Sequence, residues 1–427
     1  MSVRINRSAG EPPAWPSWQG RTCPRGRRTL PVRAAQIVSM LGLAVIAATV
    51  LPGARADAGR TARDPDGKGY NVSRVSAAST ARMRPLVFGI YPGGAAGTVG
   101  PSGRLVPDDL GKALAALKEL RPPGRPFVVH LYASYSGPDG SSAADQVGRD
   151  VAQYSAARLQ VELVLTYRPA DGGSTSDVAG FAAFARDTVR SLGSNRQFVS
   201  LQVTNEANVG GAPNASDGYY AGAKDALIKG VIAAKEQVRA TALHRIKVGF
   251  NWAYSTDNRE SDFWRYLGRH GGPAFAAAVD WVGLDLYPGT WSPPRDPSDL
   301  SGGTSVAVES ALRIVRHRYI PLAGIPASVP LHISENGYPT GPGRTEAMQV
   351  AAMKAAIAAI ESERARYNVT DYRWFDLRDA DSSSDSFESR YGLLNDDYSP
   401  KAAFAVYRDL VTSLSETRAR RSRRRQG

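Results

Sequence analysis

Two apolar runs in this chain each stop at a glutamate: Leu201-Gln202-Val203-Thr204-Asn205-Glu206 and Leu331-His332-Ile333-Ser334-Glu335. A carboxyl group at the end of such a run sits where the chain leaves the core and enters a loop, the place from which side chains reach ligands. Two of them can divide labour. One, held protonated by burial and by its neighbour's charge, gives up a proton; the other, ionised, attacks. No metal-ligand spacing accompanies the pair: His244, His270, His317 and His332 are scattered. The acidic run Asp379, Asp381, Asp385 lacks the glycine of a calcium loop and reads as a solvated turn. The expected chemistry therefore needs neither metal nor cofactor.

The elements that must position these glutamates repeat along the chain. From residue 86 a short apolar run, a polar loop and an amphipathic helix follow one another. The strand candidates are Leu86–Tyr91, Pro126–Tyr132, Gln160–Tyr167, Phe198–Asn205, Ile246–Trp252, Val279–Tyr287, Leu331–Glu335 and Asp371–Phe375. Val350, Met353, Ile357 and Ile360 recur at helical spacing after the seventh, as do Leu227, Val231 and Val238 after the fourth. Ser399 and Pro400 read as the N-cap and first position of the last helix. Such alternation implies a parallel sheet, and eight units point to an α/β fold of the (β/α)8 TIM-barrel type, a single domain over residues 85–415. Active sites of such barrels lie at the C-terminal ends of the strands. Glu206 and Glu335 would then end strands four and seven, nearly opposite each other. Tyr91, His130, Tyr167-Arg168 and Asn251-Trp252 also end strands and become candidates for binding substrate.

These motifs resemble those of clan A glycoside hydrolases, which include the cellulase family (family five) and the xylosidase/iduronidase family (family thirty-nine). That clan places Asn-Glu at the end of strand four and a nucleophilic Glu at the end of strand seven; Asn205-Glu206 and Ser334-Glu335-Asn336-Gly337 match. The resemblance implies a retaining glycosidase with Glu206 as acid/base and Glu335 as nucleophile. It also implies that Asn205 bonds the sugar 2-hydroxyl. Tyr287 would be the clan's tyrosine near the nucleophile, and Trp374 the sugar platform ending strand eight. The closing stretch Tyr391-Gly392-Leu393-Leu394, then Ser399-Pro400-Lys401, is similar to the clan's final loop and helix. Strand two departs from the pattern: it ends His130-Leu131-Tyr132 where family five usually has an Arg. The implied substrate is a polysaccharide or oligosaccharide. A carbohydrate-binding barrel without activity, or a transglycosidase, would use the same groove.

Charge separates the ends of the chain from its body. The formal net charge is +13, but residues 1–60 hold nine Arg against Glu11 and Asp57, and residues 416–427 hold six Arg against Glu416. The body is close to neutral, which speaks against nucleic acid as a partner. Arg25, Arg27, Arg28 and Arg33 precede an apolar run from Ala34 to Leu51, followed by Ala54-Arg55-Ala56. This is the layout of an export signal over residues 1–56, and an uncleaved run would instead anchor the chain to a membrane. Residues 57–84 read as a flexible linker and 416–427 as a basic, solvated tail. Cys23, the sole cysteine, lies inside the signal, so a secreted, processed form would be free of disulfides; it is expected to be a monomer.

Overall fold

The eight apolar runs become eight strands because each is buried on both faces, one set of side chains packing under the outer helices and the other pointing into the barrel lumen. The computed structural model describes residues 84–94, 106–137, 141–169, 176–212, 215–255, 257, 259–293 and 300–416. The strands are β1 (Val87–Ile90), β2 (Val128–Tyr135), β3 (Gln160–Tyr167), β4 (Phe198–Val203), β5 (Lys247–Ala253), β6 (Trp281–Leu286), β7 (Leu331–Asn336) and β8 (Val369–Trp374). All pair in parallel with their chain neighbours, and β8 closes on β1. The expected (β/α)8 barrel is therefore present. The sequence reading of residues 1–56, 57–83 and 417–427 concerns segments outside the described residues.

Among the described residues, ten α-helices pack around the barrel: α1 (Leu110–Leu120), α2 (Ser141–Ala156), α3 (Val178–Leu192), α4 (Ala223–Ala240), α5 (Glu260–Tyr266), α6 (Gly272–Ala278), α7 (Leu300–Ile314), α8 (Ile320–Leu322), α9 (Glu346–Tyr367) and α10 (Ala402–Glu416). Local chemistry sets their ends. The Asp109 carboxylate accepts the Lys112 N–H at the start of α1, and Asp177 accepts the Gly180 N–H at the start of α3. Asn368 ends α9 in the left-handed conformation. The last helix begins later than its sequence suggested. Ser399 accepts the Asn395 N–H through its carbonyl and Pro400 bridges Leu394, so both belong to the preceding turn. No helix among the described residues is long and apolar enough to cross a membrane.

Outward-facing residues such as Phe250, Trp252, Tyr372 and Trp374 pack under the helices and are buried. The lumen is unusually polar. Glu162 of β3 receives the Arg373 guanidinium at 3.1 Å and His130 Nδ1 lies 3.0 Å from it. Arg373 also bonds Asp371, which lies 3.2 Å from His332. The Trp281 ring lies flat on His332 with centroids 4.4 Å apart. Two glycines make room for this layer. A Cβ at Gly249 would stand 2.3 Å from the Trp281 ring, and one at Gly89 would stand 2.7 Å from the Arg373 side chain.

Candidate active site

Above the charged layer, irregular backbone aims the two glutamates. At the end of β4, Thr204 and Glu206 adopt φ of 66° and 48°. Left-handed backbone is costly for a β-branched threonine, roughly 1–3 kcal/mol for such a residue, and persists only where the surroundings enforce it. They do so here. Gln202 Nε2 donates to the Thr204 carbonyl at 3.1 Å. The Asp217 carboxylate accepts the Asn205 N–H at 2.8 Å and the Tyr167 N–H at 2.7 Å, clamping the ends of β3 and β4 together. Asn251 Oδ1 accepts the Glu206 N–H at 2.8 Å. The Glu206 carboxylate accepts the Ser216 hydroxyl and opens into the cleft, where it is half-buried.

On β7 the device is a bulge. Leu284 of β6 pairs with Ile333, but the next residue, Asp285, pairs with Glu335, so Ser334 is extra. A bulge lets two successive side chains face one side. Ser334 donates to Asp285 at 2.6 Å, and Glu335 beside it receives the Tyr132 hydroxyl at 2.5 Å and the Tyr287 hydroxyl at 2.6 Å. Two phenolic hydroxyls, one per oxygen, fix the orientation of this carboxyl group.

Three carboxyl groups meet in this space. One oxygen each from Glu206, Asp285 and Glu335 lies within 4.8 Å of the others. Burial, then the Glu335 charge, raises Glu206 to about 8. Burial and the charges of Glu335 and Glu206 push Asp285 well above the carboxylate range. Burial lifts Asp217 to about 7 against the pull of its two backbone N–H donors. Burial and the Glu335 charge push both Tyr132 and Tyr287 well up, which keeps their hydroxyls protonated as donors. The same three carboxylates are the set among the described residues with spacing for a cation. The oxygens of Asp285 and Glu335 are already engaged, by Ser334 and Asn251 and by the two tyrosines respectively. This donor set serves proton and nucleophile chemistry better than metal binding.

Aromatic rings form the rest of the cleft. Tyr91 stacks on Phe375 at 5.4 Å and meets Tyr132 edge-on at 5.5 Å. Tyr287 meets Phe375 and Tyr391 edge-on at 6.3 and 5.6 Å. Tyr91, Tyr132 and Phe375 remain partly exposed to the opening.

Of the residues singled out from sequence, Glu206, Glu335, Tyr287 and Tyr91 converge here. Asn205 is buried beside them. Its amide donates to the Ala215 carbonyl at 2.9 Å and its oxygen accepts from Asn251 at 2.8 Å. Five expectations need correction. Trp374 faces outward, buried with its ring 6.3 Å from Tyr407 of α10; strand alternation puts Phe375 in the cleft instead. Trp252 also faces outward, its indole N–H donating to Glu260 at 2.6 Å among Trp264 and Tyr319. His130 and Asn251 do face inward but are fully covered. They support Tyr132 and Glu206 rather than line the opening. Tyr167 is buried and donates to the Ala221 carbonyl.

Sequence reasoning missed Tyr132, Ser216, Asp217, Asp285, Phe375 and Glu162. Two carried a signal: a lone acid inside an apolar strand, Leu284-Asp285-Leu286 and Val161-Glu162-Leu163, is costly unless something in the lumen uses it. The acidic run is structural at its first member, since Asp379 meets Lys401 Nζ at 2.5 Å in the interior.

No family model matches this chain, and no curated protein matches it either. Solved structures do. Apo β-glucosidase 1317 superposes with a TM-score of 0.54 at 18% identity, over 78% of this chain and 98% of that one. The family 1 β-glucosidase of Thermotoga maritima gives 0.51 at 13% identity, over 78% and 98%. A family 39 glycoside hydrolase from Bacteroides cellulosilyticus WH2 gives 0.52 at 14%, over 78% of this chain and 64% of that one. At these identities the likeness establishes the fold: the chain is a (β/α)8 barrel of the kind on which these glycoside hydrolases are built.

Proposed function

We propose that the protein is a retaining O-glycoside hydrolase acting on an oligosaccharide or polysaccharide, exported by the signal in residues 1–56. The carrying observation is the asymmetric carboxyl pair. Glu206 and Glu335 approach within 4.8 Å, one raised to about 8 and the other receiving two phenolic donors. Retaining enzymes keep their carboxyls roughly 5–5.5 Å apart, whereas inverting enzymes leave roughly 6.5–9.5 Å for a water. The spacing supports retention.

In the first step a Glu335 oxygen bonds the anomeric carbon as the glycosidic bond breaks. The electron pair goes to the departing oxygen, which takes the Glu206 proton. The resulting ester carries no charge, so the repulsion that raised Glu206 disappears and Glu206 is left as a carboxylate able to act as base. In the second step Glu206 takes a proton from water as the water oxygen bonds the anomeric carbon, and Glu335 departs as a carboxylate. Two inversions give net retention. Phe375 and Tyr91 offer apolar faces to the sugar, and Asn205, bonded to Ala215 and Asn251 beside Glu206, would meet the 2-hydroxyl only with its remaining hydrogen-bonding capacity.

The β-glucosidase and family 39 neighbours support β-linked glycosides as the first substrates to test. Hydrolysis of an aryl β-glycoside panel, with the first-formed anomer read by proton NMR, is expected to show retained configuration. An inverted first product, or no turnover of any glycoside, would overturn the proposal.

A further inference from the structure

The catalytic cleft does not end at the carboxyl pair. Trp291, in the loop after β6, leaves 57% of its surface exposed, the largest ring among the exposed apolar side chains of the described residues. An exposed tryptophan on a mobile loop would be unremarkable, but this one is held. Its indole lies beside the Tyr391 hydroxyl, which donates to Thr290 at 3.2 Å. Its ring packs on Phe387 at 5.4 Å, and the Arg344 guanidinium lies 5.3 Å from the centre of that phenylalanine. Three loops, following β6, β7 and β8, thus hold one ring in place with a face to solvent.

The tether runs straight to the reacting centre. Tyr391 packs on Tyr287, and Tyr287 donates to Glu335. The open face of Trp291 is therefore one ring removed from the ring that holds the nucleophile. A flat apolar face rimmed by hydroxyl and guanidinium groups matches a pyranose, whose axial C–H bonds form an apolar face and whose hydroxyls radiate around it.

We infer that Trp291 is the platform of a further sugar subsite, binding a pyranose unit next to the one cleaved, so that the substrate is a chain of sugars rather than a monoglycoside. This rests on the glycosidase reading and narrows it. The carbohydrate is recognised through ring stacking at Trp291 and a hydroxyl contact at the partly exposed Thr290.

The test compares wild type, Trp291→Ala and Trp291→Phe on an aryl monoglycoside and on matched β-linked oligosaccharides of two to six units. The ratio of kcat/KM for the oligosaccharide to that for the monoglycoside is expected to fall about tenfold in Trp291→Ala, mostly through KM. Trp291→Phe should recover most of it. Calorimetric binding of the same oligosaccharides gives a readout that needs no turnover, and the affinity should fall by a similar factor. An unchanged ratio and unchanged affinity in Trp291→Ala would overturn the platform. Trp291-dependent binding without hydrolysis by wild type would uphold the platform and overturn the catalytic reading instead.

Discussion

Replacing Glu335 by Gln removes one charge from the cleft while keeping the side chain's shape, and Glu206 should report the loss. Two charges roughly 5 Å apart at an effective dielectric of about 20 repel by about 3 kcal/mol, a little over 2 pKa units. Their spacing here, within 4.8 Å, is close to that figure. Glu206, raised to about 8 with burial as the first cause and Glu335 as the second, should therefore fall to roughly 5–6 in Glu335→Gln. It should not reach the ordinary glutamate value, because burial and the nearby Asp217 remain. Carbon NMR titration of protein labelled at the glutamate carboxyl carbons follows this, with Glu206→Gln assigning the resonance. The same shift is the one the glycosyl ester would produce during turnover, so the experiment examines how one residue serves first as acid and then as base. A change below about half a unit, or a rise, would refute the electrostatic reasoning.

Tyr132→Phe and Tyr287→Phe should each lower kcat/KM by roughly tenfold to a hundredfold, the worth of a hydrogen bond to a charged group, with little change in melting temperature. An equal loss of stability would point to packing instead. Glu206→Ala should lose natural substrates but keep the first step on an activated aryl glycoside, and azide should restore turnover with retained configuration. Restoration with inversion would reverse the assigned roles. Glu162→Gln should destabilise the fold by about 3–5 kcal/mol in chemical denaturation, since it strands the buried Arg373; a loss below about 1 kcal/mol would mean that Asp371 suffices. Stability should also fall as pH rises from about 4 to 8. Glu206 and Asp217, raised to about 8 and 7, hold protons in the folded state that the unfolded chain has released above about pH 4. Glu162, held well below the usual range first by Arg373 against the cost of burial, opposes this only in more acid solution. A melting temperature higher at pH 8 than at pH 5 would contradict this sign.

Much of the barrel was legible because its signal is repetitive. Gln160–Tyr167 has the same limits in sequence and structure, and the other seven runs shift by at most a few residues at an end. The two glutamates were legible because each terminates such a run. What failed was direction. Trp374 and Phe375 are adjacent, and a period of two sends one to the helices and the other to the cleft. Parity could have been read from Arg373, a charge that shares the lumen with Glu162, had that pairing been visible. The hydrogen-bond partners of Glu335 were harder still. Tyr132 and Tyr287 lie far apart in sequence and meet only through closure of the barrel.

The polar lumen makes the departure on β2 compatible with the proposed chemistry. Where a charged donor could have faced the nucleophile, this chain presents the neutral hydroxyl of Tyr132. That hydroxyl is steadied from below by His130 Nε2 at 3.2 Å, and His130 in turn leans on Glu162 and through it on Arg373. The positive charge of Arg373 lies below, paired with Glu162 and Asp371 rather than with Glu335. A guanidinium touching Glu335 would offset much of the repulsion that keeps Glu206 protonated. With the cation held by Glu162 and Asp371, the charge of Glu335, the proposed nucleophile, stays available to raise Glu206, and the neutral tyrosines orient it without quenching that charge.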